Sequence, residues 1–213
     1  MKRVLIAVLV CGIALAQTKS AETPDLLNPA TMKARAPETF DVKFTTTKGD
    51  VSIHVTRAWA PNGADRFYNL VRAGFFTDAA FFRVIPGFMA QFGISARPEV
   101  SRVWANANFP DDPVKESNKR GMVTFAQTSL PNSRSTQFFI NYGDNARLDQ
   151  DRFAPFAQVT QGMDVMDKVF SGYGEQPNQG SITAEGKAYL DRQFPRLDRI
   201  LTATIVSGGA AKK

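Results

Sequence analysis

The sequence predicts a mainly β protein, either a closed barrel or a sandwich, with only a few helices. Apolar and polar residues alternate over 40–45 and again over 51–55, as in two half-buried strands, and Lys48-Gly49-Asp50 would form the hairpin turn between them. Short apolar segments then recur at 81–85, 88–92, 122–125, 137–141, 153–159 and 200–206. Because closing a sheet removes its exposed edges, many short strands with few helices favour these two architectures.

Helical patterns occur at three places between these segments. The first predicted helix begins at Pro61, which suits a first helical turn, and presents Phe67, Leu70 and Val71 on one face. Gly74 lies where a helix commonly ends, in the C′ position. We expect shorter helices over 163–170 and 183–192, and long loops over 95–118 and 172–180.

Length and composition indicate one globular domain. The chain has 213 residues, of which 43% are hydrophobic and 22% charged, and these values are close to those of average globular proteins. Phenylalanine is abundant, with 17 residues against 4 Tyr and 2 Trp, so we expect aromatic rings in the core and in any pocket. Residues 17–38 are polar and proline-punctuated without sustained periodicity, which predicts a flexible N-terminal arm.

Residues 1–16 have the organisation of an export signal. Two basic residues precede an apolar stretch over 4–14, and Ala14-Leu15-Ala16 resembles a cleavage site. This stretch is shorter than the roughly 20 apolar residues that a membrane span requires. We therefore expect cleavage, no stable membrane insertion afterwards, and export, with the periplasm favoured and secretion or surface association as alternatives. A retained membrane anchor is the other interpretation of this segment.

Several function classes lack the residues that they would need. Cys11 is the only cysteine and lies in the predicted signal, while His54 is the only histidine and lies at an outward position of a predicted strand. Zinc sites and histidine-dependent triads are therefore excluded, and no glycine-rich phosphate loop is present. Scattered basic residues argue against nucleic-acid binding. We expect no cofactor and no metal, a surface role for His54, and a solvated loop at Asp111-Asp112.

Two segments carry an unusual arrangement of polar and apolar residues. In residues 81–91, Arg83 is flanked by apolar residues on both sides, and an arginine is costly to bury without a partner. By strand alternation alone, Arg83 would face solvent while Phe82 and Val84 face the core. The second segment has two parts, TFAQ at 124–127 and TQFFIN at 136–141.

The first of these segments resembles the cyclophilin signature F-x-R-[IV]-I-P-G-F-M-x-Q-G, and the second resembles the [MF]-A … S-Q-F-F-I block of the same family. The similarity extends over roughly 40–206, and residues 172–196 resemble a C-terminal extension of some bacterial members. It implies a closed antiparallel eight-stranded β-barrel with two or three flanking helices, formed by residues 39–213. It also implies peptidyl-prolyl cis-trans isomerase activity on proline-containing polypeptides, here exported proteins that are still folding.

The resemblance assigns a role to each matching residue. Arg83 corresponds to the catalytic arginine, and Gln91 and Gln137 correspond to glutamines that hydrogen-bond the substrate backbone and steady the arginine. The other matches form the proline pocket or the strand edge along which the peptide lies: Phe88, Met89, Phe139, Leu148 and Phe153 for the pocket, and Ala126 and Gln127 for the edge. Without the motif, the apolar members of this set would be interpreted as ordinary core.

Three positions depart from the family pattern. Phe92 stands where the signature has a glycine, and we expect it to alter the pocket rim or its loop. Arg147 replaces a pocket tryptophan and Phe153 replaces the histidine of many members; because that tryptophan normally contacts cyclosporin, we expect weak cyclosporin binding. Two other functions stay open, namely a peptide-docking domain with slight catalysis and a lipocalin-like barrel that encloses an apolar ligand.

Overall fold

The computed structural model describes residues 25–208, so the predicted signal over 1–16 and the first part of the predicted arm lie outside the described residues. Within this range the chain forms nine β-strands and six α-helices. The strands are β1 (Thr39–Thr46), β2 (Gly49–Thr56), β3 (Ala79–Ala80), β4 (Arg83–Ile85), β5 (Met89–Phe92), β6 (Met122–Phe125), β7 (Phe138–Asn141), β8 (Pro155–Gln161) and β9 (Arg199–Gly208). The helices are α1 (Pro61–Arg72), α2 (Pro98–Trp104), α3 (Arg147–Gln150), α4 (Met163–Met166), α5 (Gln179–Glu185) and α6 (Lys187–Gln193).

The nine strands form one antiparallel sheet in the order β3-β9-β1-β2-β8-β6-β7-β5-β4. The strands at the two ends of this order, β3 and β4, are consecutive in the chain and are separated only by Phe81-Phe82. The chain changes partner at this point, because β3 pairs with β9 whereas β4 pairs with β5. The sheet is strongly curled, and the mainly β antiparallel prediction is confirmed. Residues 25–208 contain nine strands instead of eight, in a half-barrel, and six helices instead of two or three.

Phenylalanine rings fill the concave side of this sheet. The predicted β1–β2 hairpin is present, with its turn at Thr47-Lys48 rather than at residues 48–50, and its apolar residues are all buried: Phe40, Val42 and Phe44 lie opposite Val55, Ile53 and Val51. At the centre, the ring of Phe138 on β7 lies 4.2 Å from that of Phe125 on β6 and 5.5 Å from that of Phe67 on α1. The interior is thus filled by the protein's own side chains, the opposite of what a lipocalin-like ligand barrel requires.

Helix α1 begins and ends where the sequence predicts, but its first turn depends on a distant residue. The Asp112 carboxylate accepts hydrogen bonds from the backbone N–H groups of Asn62, at 3.0 Å, and Gly63, at 2.8 Å. Asp112 is only 4% exposed, and burial raises the pKa of its carboxyl group. The interpretation of Asp111-Asp112 as a solvated loop is therefore wrong for Asp112, which caps the helix. Gly74 follows the last turn with a φ of +69°.

Two segments that the sequence predicts to be irregular pack on the domain: the loop over 95–118 and the described part of the arm over 17–38. The expected loop over 95–118 contains α2, whose Trp104 is buried and donates a hydrogen bond from its Nε1–H to the Leu26 carbonyl oxygen at 2.8 Å. The described part of the predicted arm packs on the domain, since Met32 and Ala36 join the main core. A seven-residue helix is too short to produce a clear periodicity, which is why α2 escaped prediction.

The C-terminal extension folds as two short helices rather than the single loose helix expected over 183–192. Gly186 separates α5 from α6 with a φ of +61°, and a Cβ at this position would overlap the Ala96 carbonyl oxygen. A second hydrophobic cluster holds the extension against the outside of the barrel: Ala80, Phe82, Ile94, Ile182, Leu190 and Leu197. Among the described residues, no helix combines the length and the apolar composition needed to cross a bilayer.

Candidate functional site

The residues to which the sequence assigns site roles line a single open cavity of about 310 Å³. They are Arg83, Phe88, Met89, Gln91, Ala126, Gln127, Gln137, Phe139, Leu148 and Phe153. The cavity also has four polar lining residues that sequence reasoning missed: Thr128, Ser133, Ser135 and Gln179. None of these four belongs to the motifs, and their loop or extension positions carry no sequence signal that would place them here.

Strand register brings the polar residues of the cavity into a row. Arg83 on β4 pairs with Gln91 on β5, and Gln91 pairs with Phe139 on β7. The Nη1 of Arg83 donates to the Oε1 of Gln91 at 3.2 Å, and the Nε2 of Gln91 donates to the Oε1 of Gln137 at 2.8 Å. The Arg83 side chain is 31% exposed while Val84 is buried in the core, so Arg83 faces outward as alternation predicts. The N–H groups of its guanidinium therefore lie at the wall of the cavity.

The apolar residues of the cavity form a cluster of their own. Met89, Phe139 and Leu148 are buried together, and Phe88 and Phe153 pack against them. The rings of Phe139 and Phe153 meet edge to face at a centroid distance of 5.8 Å. This cluster is separate from the barrel core, so these residues form an apolar socket beside Arg83 rather than filling the interior.

Phe92 and Arg147, two of the positions that depart from the family pattern, lie in different surroundings. Phe92 is fully buried in the barrel core, where its ring lies 5.5 Å from that of Phe138, so the expectation that it alters the pocket rim is wrong. Its neighbour Gln91 takes the cavity side of β5, because successive strand residues face opposite sides. Arg147 is exposed at the cavity mouth, with its guanidinium 5.0 Å above the centre of the Phe88 ring.

The strand edge at Ala126 and Gln127 is partly used by the protein itself. The backbone N–H of Ala126 donates to the Gln137 carbonyl oxygen at 2.9 Å, which continues the β6–β7 pairing beyond the strands. The Nε2 of Gln127 donates to the Asp151 carbonyl oxygen at 2.6 Å. These two bonds fix the loop that follows β6 along one side of the cavity.

Glu175, in the extension, is a further residue at the site that sequence reasoning missed. Its Oε1 accepts a hydrogen bond from the Nε of Arg83 at 2.6 Å and also contacts the Nη2 of the same guanidinium. The two residues are 92 positions apart, so no local pattern could link them.

His54 lies away from the cavity. Its Nδ1 is 2.7 Å from the Oδ1 of Asp41 on the neighbouring strand, and both side chains are partly exposed. This arrangement agrees with a surface role. Within residues 25–208, no group of three or more His, Cys, Asp or Glu side chains is placed to hold a metal ion.

A curled antiparallel sheet with an arginine–glutamine row beside an apolar socket is the arrangement that the resemblance to cyclophilins implies. The family model described as cyclophilin type peptidyl-prolyl cis-trans isomerase matches residues 41–185, more than half of the chain. The protein therefore belongs to the cyclophilin-type peptidyl-prolyl cis-trans isomerases, and it is an enzyme of this class.

Curated relatives agree with this membership, and solved structures match the fold. Peptidyl-prolyl cis-trans isomerase A of Dickeya dadantii is 37% identical over 60% of this chain and 70% of its own length. Peptidyl-prolyl cis-trans isomerase B of Escherichia coli is 31% identical over 78% of this chain and 99% of its own length. A Cryptosporidium parvum cyclophilin-type isomerase structure matches the fold with a TM-score of 0.60 at 20% identity, covering 80% of this chain and 99% of its own. The cyclophilin AquaCyp293 from Hirschia baltica has a TM-score of 0.58 at 23% identity, covering 84% and 78% respectively.

Proposed function

We propose that the protein accelerates rotation about X-Pro bonds by non-covalent stabilisation of the twisted amide, with Arg83 as the donor, in exported proteins that are folding. The observation that carries this proposal is the row Arg83–Gln91–Gln137 beside the apolar socket. The reaction is a conformational change, so it requires no nucleophile, no general base and no metal.

The barrier to rotation explains why a single cation suffices. Rotation costs about 18–20 kcal/mol because it breaks the delocalisation of the nitrogen lone pair into the carbonyl group. Twisting leaves the prolyl nitrogen pyramidal and basic. A catalyst must therefore bind the twisted amide better than either planar isomer, and a fixed guanidinium can donate to that nitrogen or to the adjacent carbonyl oxygen.

The surroundings of Arg83 suit this task. Arginine stays protonated and presents a rigid fork of donors, whereas lysine would offer a mobile point charge. The proline ring would lie in the socket formed by Met89, Phe139 and Leu148, and its burial would contribute ~2 kcal/mol of anchoring. Gln137 would hold the flanking peptide while the other side of the bond rotates.

The test is the cis-to-trans isomerisation rate of a proline tetrapeptide with the mature protein and an Arg83→Lys variant. We expect the variant to keep its melting temperature and to lose about tenfold or more in kcat/KM, because lysine cannot reproduce the fork. An inert wild-type protein, or a lysine variant that is as fast as the wild type, would refute the mechanism.

Export is proposed from residues 1–16, with the periplasm as the favoured destination. The test is to express the full chain in a Gram-negative host and to compare periplasmic, membrane and cytoplasmic fractions. We expect a periplasmic species that begins near Gln17. A full-length species in the membrane fraction would instead support the retained anchor.

Weak cyclosporin inhibition is proposed from Arg147, which occupies the position of the tryptophan that normally contacts this ligand. The stacking of the Arg147 guanidinium on Phe88 supports this, because it places a hydrated cation where an indole would offer an apolar face. Phe92 and Arg147 were the two reasons for the alternative of a peptide-docking domain with slight catalysis. Because Phe92 lies in the core, only Arg147 still supports it.

A further inference from the structure

The C-terminal extension reaches the guanidinium on which the proposed mechanism depends. The Oε1 of Glu175 accepts from the Nε of Arg83 at 2.6 Å and contacts its Nη2. Among residues 25–208, Glu175 is the one acidic residue that pairs with Arg83, and its own side chain is 64% exposed. The segment that carries Glu175 lies beyond α4, in a part of the chain that the motifs do not include.

The extension holds Glu175 in a defined place. Tyr173, two residues before it, packs edge to face against Phe170 at 5.0 Å and Phe194 at 5.1 Å. Tyr173 and Phe194 pack against the second hydrophobic cluster, which includes Phe82, the residue that directly precedes Arg83. The same cluster therefore anchors both the strand that carries the arginine and the loop that carries the carboxylate. The loop is fixed relative to Arg83 by packing, not by the ion pair alone.

The contacts of Arg83 leave donors for a substrate. A guanidinium has five N–H groups, one on Nε and two on each Nη. Glu175 accepts a hydrogen bond from the Nε–H group and makes an ion-pair contact with Nη2, and Gln91 accepts one N–H of Nη1. One N–H on each Nη atom thus has no hydrogen-bond partner among the described residues. Glu175 and Gln91 together set the plane of the guanidinium and leave these two donors available at the cavity.

We propose that Glu175 is a positioning residue for the isomerisation reaction, supplied by the C-terminal extension, that holds the Arg83 guanidinium in its working orientation. The inference rests on the proposed role of Arg83 as the donor to the twisted amide. An arginine side chain on a surface samples many rotamers, so fixing it in advance lowers the cost of ordering it in the transition state. Glu175 acts through Arg83 and does not contact the substrate.

The opposite role for the same contact would be a gate, in which Glu175 blocks Arg83 until a substrate displaces it. The two roles predict changes of opposite sign when the carboxylate is removed. Positioning predicts slower turnover, whereas a gate predicts faster turnover. The free donors on both Nη atoms favour positioning, because a gate would need to occupy them.

The experiment measures kcat and KM for an uncharged proline tetrapeptide with the wild-type protein, Glu175→Gln and Glu185→Gln. Glu185 is a matched control, because it lies on the same extension and forms an exposed ion pair with Arg192 at 2.8 Å, and its change removes the same charge. We expect Glu175→Gln to lower kcat by about two- to fivefold, the range of an exposed ion pair, with KM and melting temperature unchanged. Glu185→Gln should match the wild type in all three quantities.

A second readout follows the guanidinium directly. The Arg83 Nε–H gives a proton–nitrogen NMR signal that can be assigned by its loss in Arg83→Lys. We expect this signal to move in Glu175→Gln and to stay in place in Glu185→Gln. Added salt should also lower the wild-type kcat toward that of Glu175→Gln and leave the variant unaffected, because salt screens exposed ion pairs.

The outcomes separate this inference from the function on which it rests. An inactive wild-type protein would refute the proposed function itself. With an active wild type, unchanged or faster turnover in Glu175→Gln would overturn the positioning role, and the faster result would establish a gate. An equal loss in Glu185→Gln would also overturn it, since the effect would then come from the overall charge of the extension.

Discussion

Adjacent residues on β5 and on β7 face opposite sides of the sheet and have different roles. On β7, Phe138 is fully buried in the barrel core, whereas Phe139 contributes to the socket. On β5, Phe92 faces the core and Gln91 faces the cavity. The two pairs lie directly opposite each other, Phe92 with Phe138 and Gln91 with Phe139. The wall of the barrel therefore divides residues that stabilise the fold from residues that form the site.

This division predicts different effects for two alanine substitutions. Phe138→Ala should lower the free energy of unfolding by about 3–5 kcal/mol, because it leaves a cavity at the centre of the aromatic core. Phe139→Ala should cost less stability and instead raise KM for the tetrapeptide by about tenfold, since it removes a wall of the socket. Urea denaturation and isomerase kinetics measure the two quantities. Equal losses of stability, or an unchanged KM in Phe139→Ala, would contradict the assignment.

At the level of elements, a polar cluster joins three neighbouring strands on the exposed side of the sheet. Asp41 on β1 lies opposite His54 on β2 and opposite Ser207 on β9 in the strand register. The Ser207 hydroxyl donates to its Oδ2, and the His54 ring approaches its Oδ1 at 2.7 Å. The hydrogen bond from Ser207, followed by that from His54, lowers the pKa of Asp41. The single histidine of the chain thus belongs to strand pairing.

The lowered pKa of Asp41 predicts a pH-dependent contribution to stability. Its pKa in the folded protein lies below the value of about 3.9 in an unfolded chain, so the ionised carboxylate stabilises the folded state above that pH, and the contribution disappears as the pH falls through the folded-state pKa. Asp41→Asn should therefore lower stability at pH 7 by less than about 1 kcal/mol, since the cluster is partly exposed.

Thermal melts of the wild type and Asp41→Asn at pH 7 and at pH 3 measure this difference. We expect a gap in melting temperature at pH 7 that narrows toward pH 3. A gap that stays the same at both values would show that the carboxylate charge contributes nothing.

At the scale of the whole molecule, the extension and the barrel are joined by close backbone contact as well as by side-chain packing. The backbone N–H of Lys187 donates to the Ala96 carbonyl oxygen at 2.8 Å, just before α2. Gly186 permits this approach, because a Cβ there would overlap that oxygen and crowd the Pro98 ring. The extension is thus docked at two places, on the Ala96–Pro98 segment and on Phe82, the residue next to Arg83.

Gly186→Ala should therefore lower both the free energy of unfolding and the isomerisation rate. Its backbone conformation, with φ at +61° and ψ at −139°, costs an alanine about 1–3 kcal/mol, and the overlap adds to this. Gly174→Ala is the matched control, since Gly174 also has a positive φ, at +51°, but a Cβ there would meet nothing within 4 Å. Urea denaturation should show a clearly larger loss for Gly186→Ala, and equal losses would refute the docking argument.

Features of short range were predictable from the chain. The alternation over 40–55 predicted the two strands of the first hairpin and their buried side, and Pro61 and Gly74 marked the ends of α1. The motif resemblance identified residues that line the cavity, because it transfers a three-dimensional arrangement that no local pattern contains. Helix α2 was missed because it is short. The location of Phe92 was predicted wrongly because the side of the strand that it faces was not considered.

The sequence by itself determined the mainly β architecture and the buried side of β1 and β2, since alternation with a period of two residues predicts a half-buried strand. Tertiary structure alone decided which distant residues meet. Asp112 caps a helix 50 residues away, and Glu175 reaches Arg83 across 92 residues. Such pairs depend on how the sheet curls and where the extension docks, and the free energy of that docking comes from many apolar contacts that are spread over the whole chain.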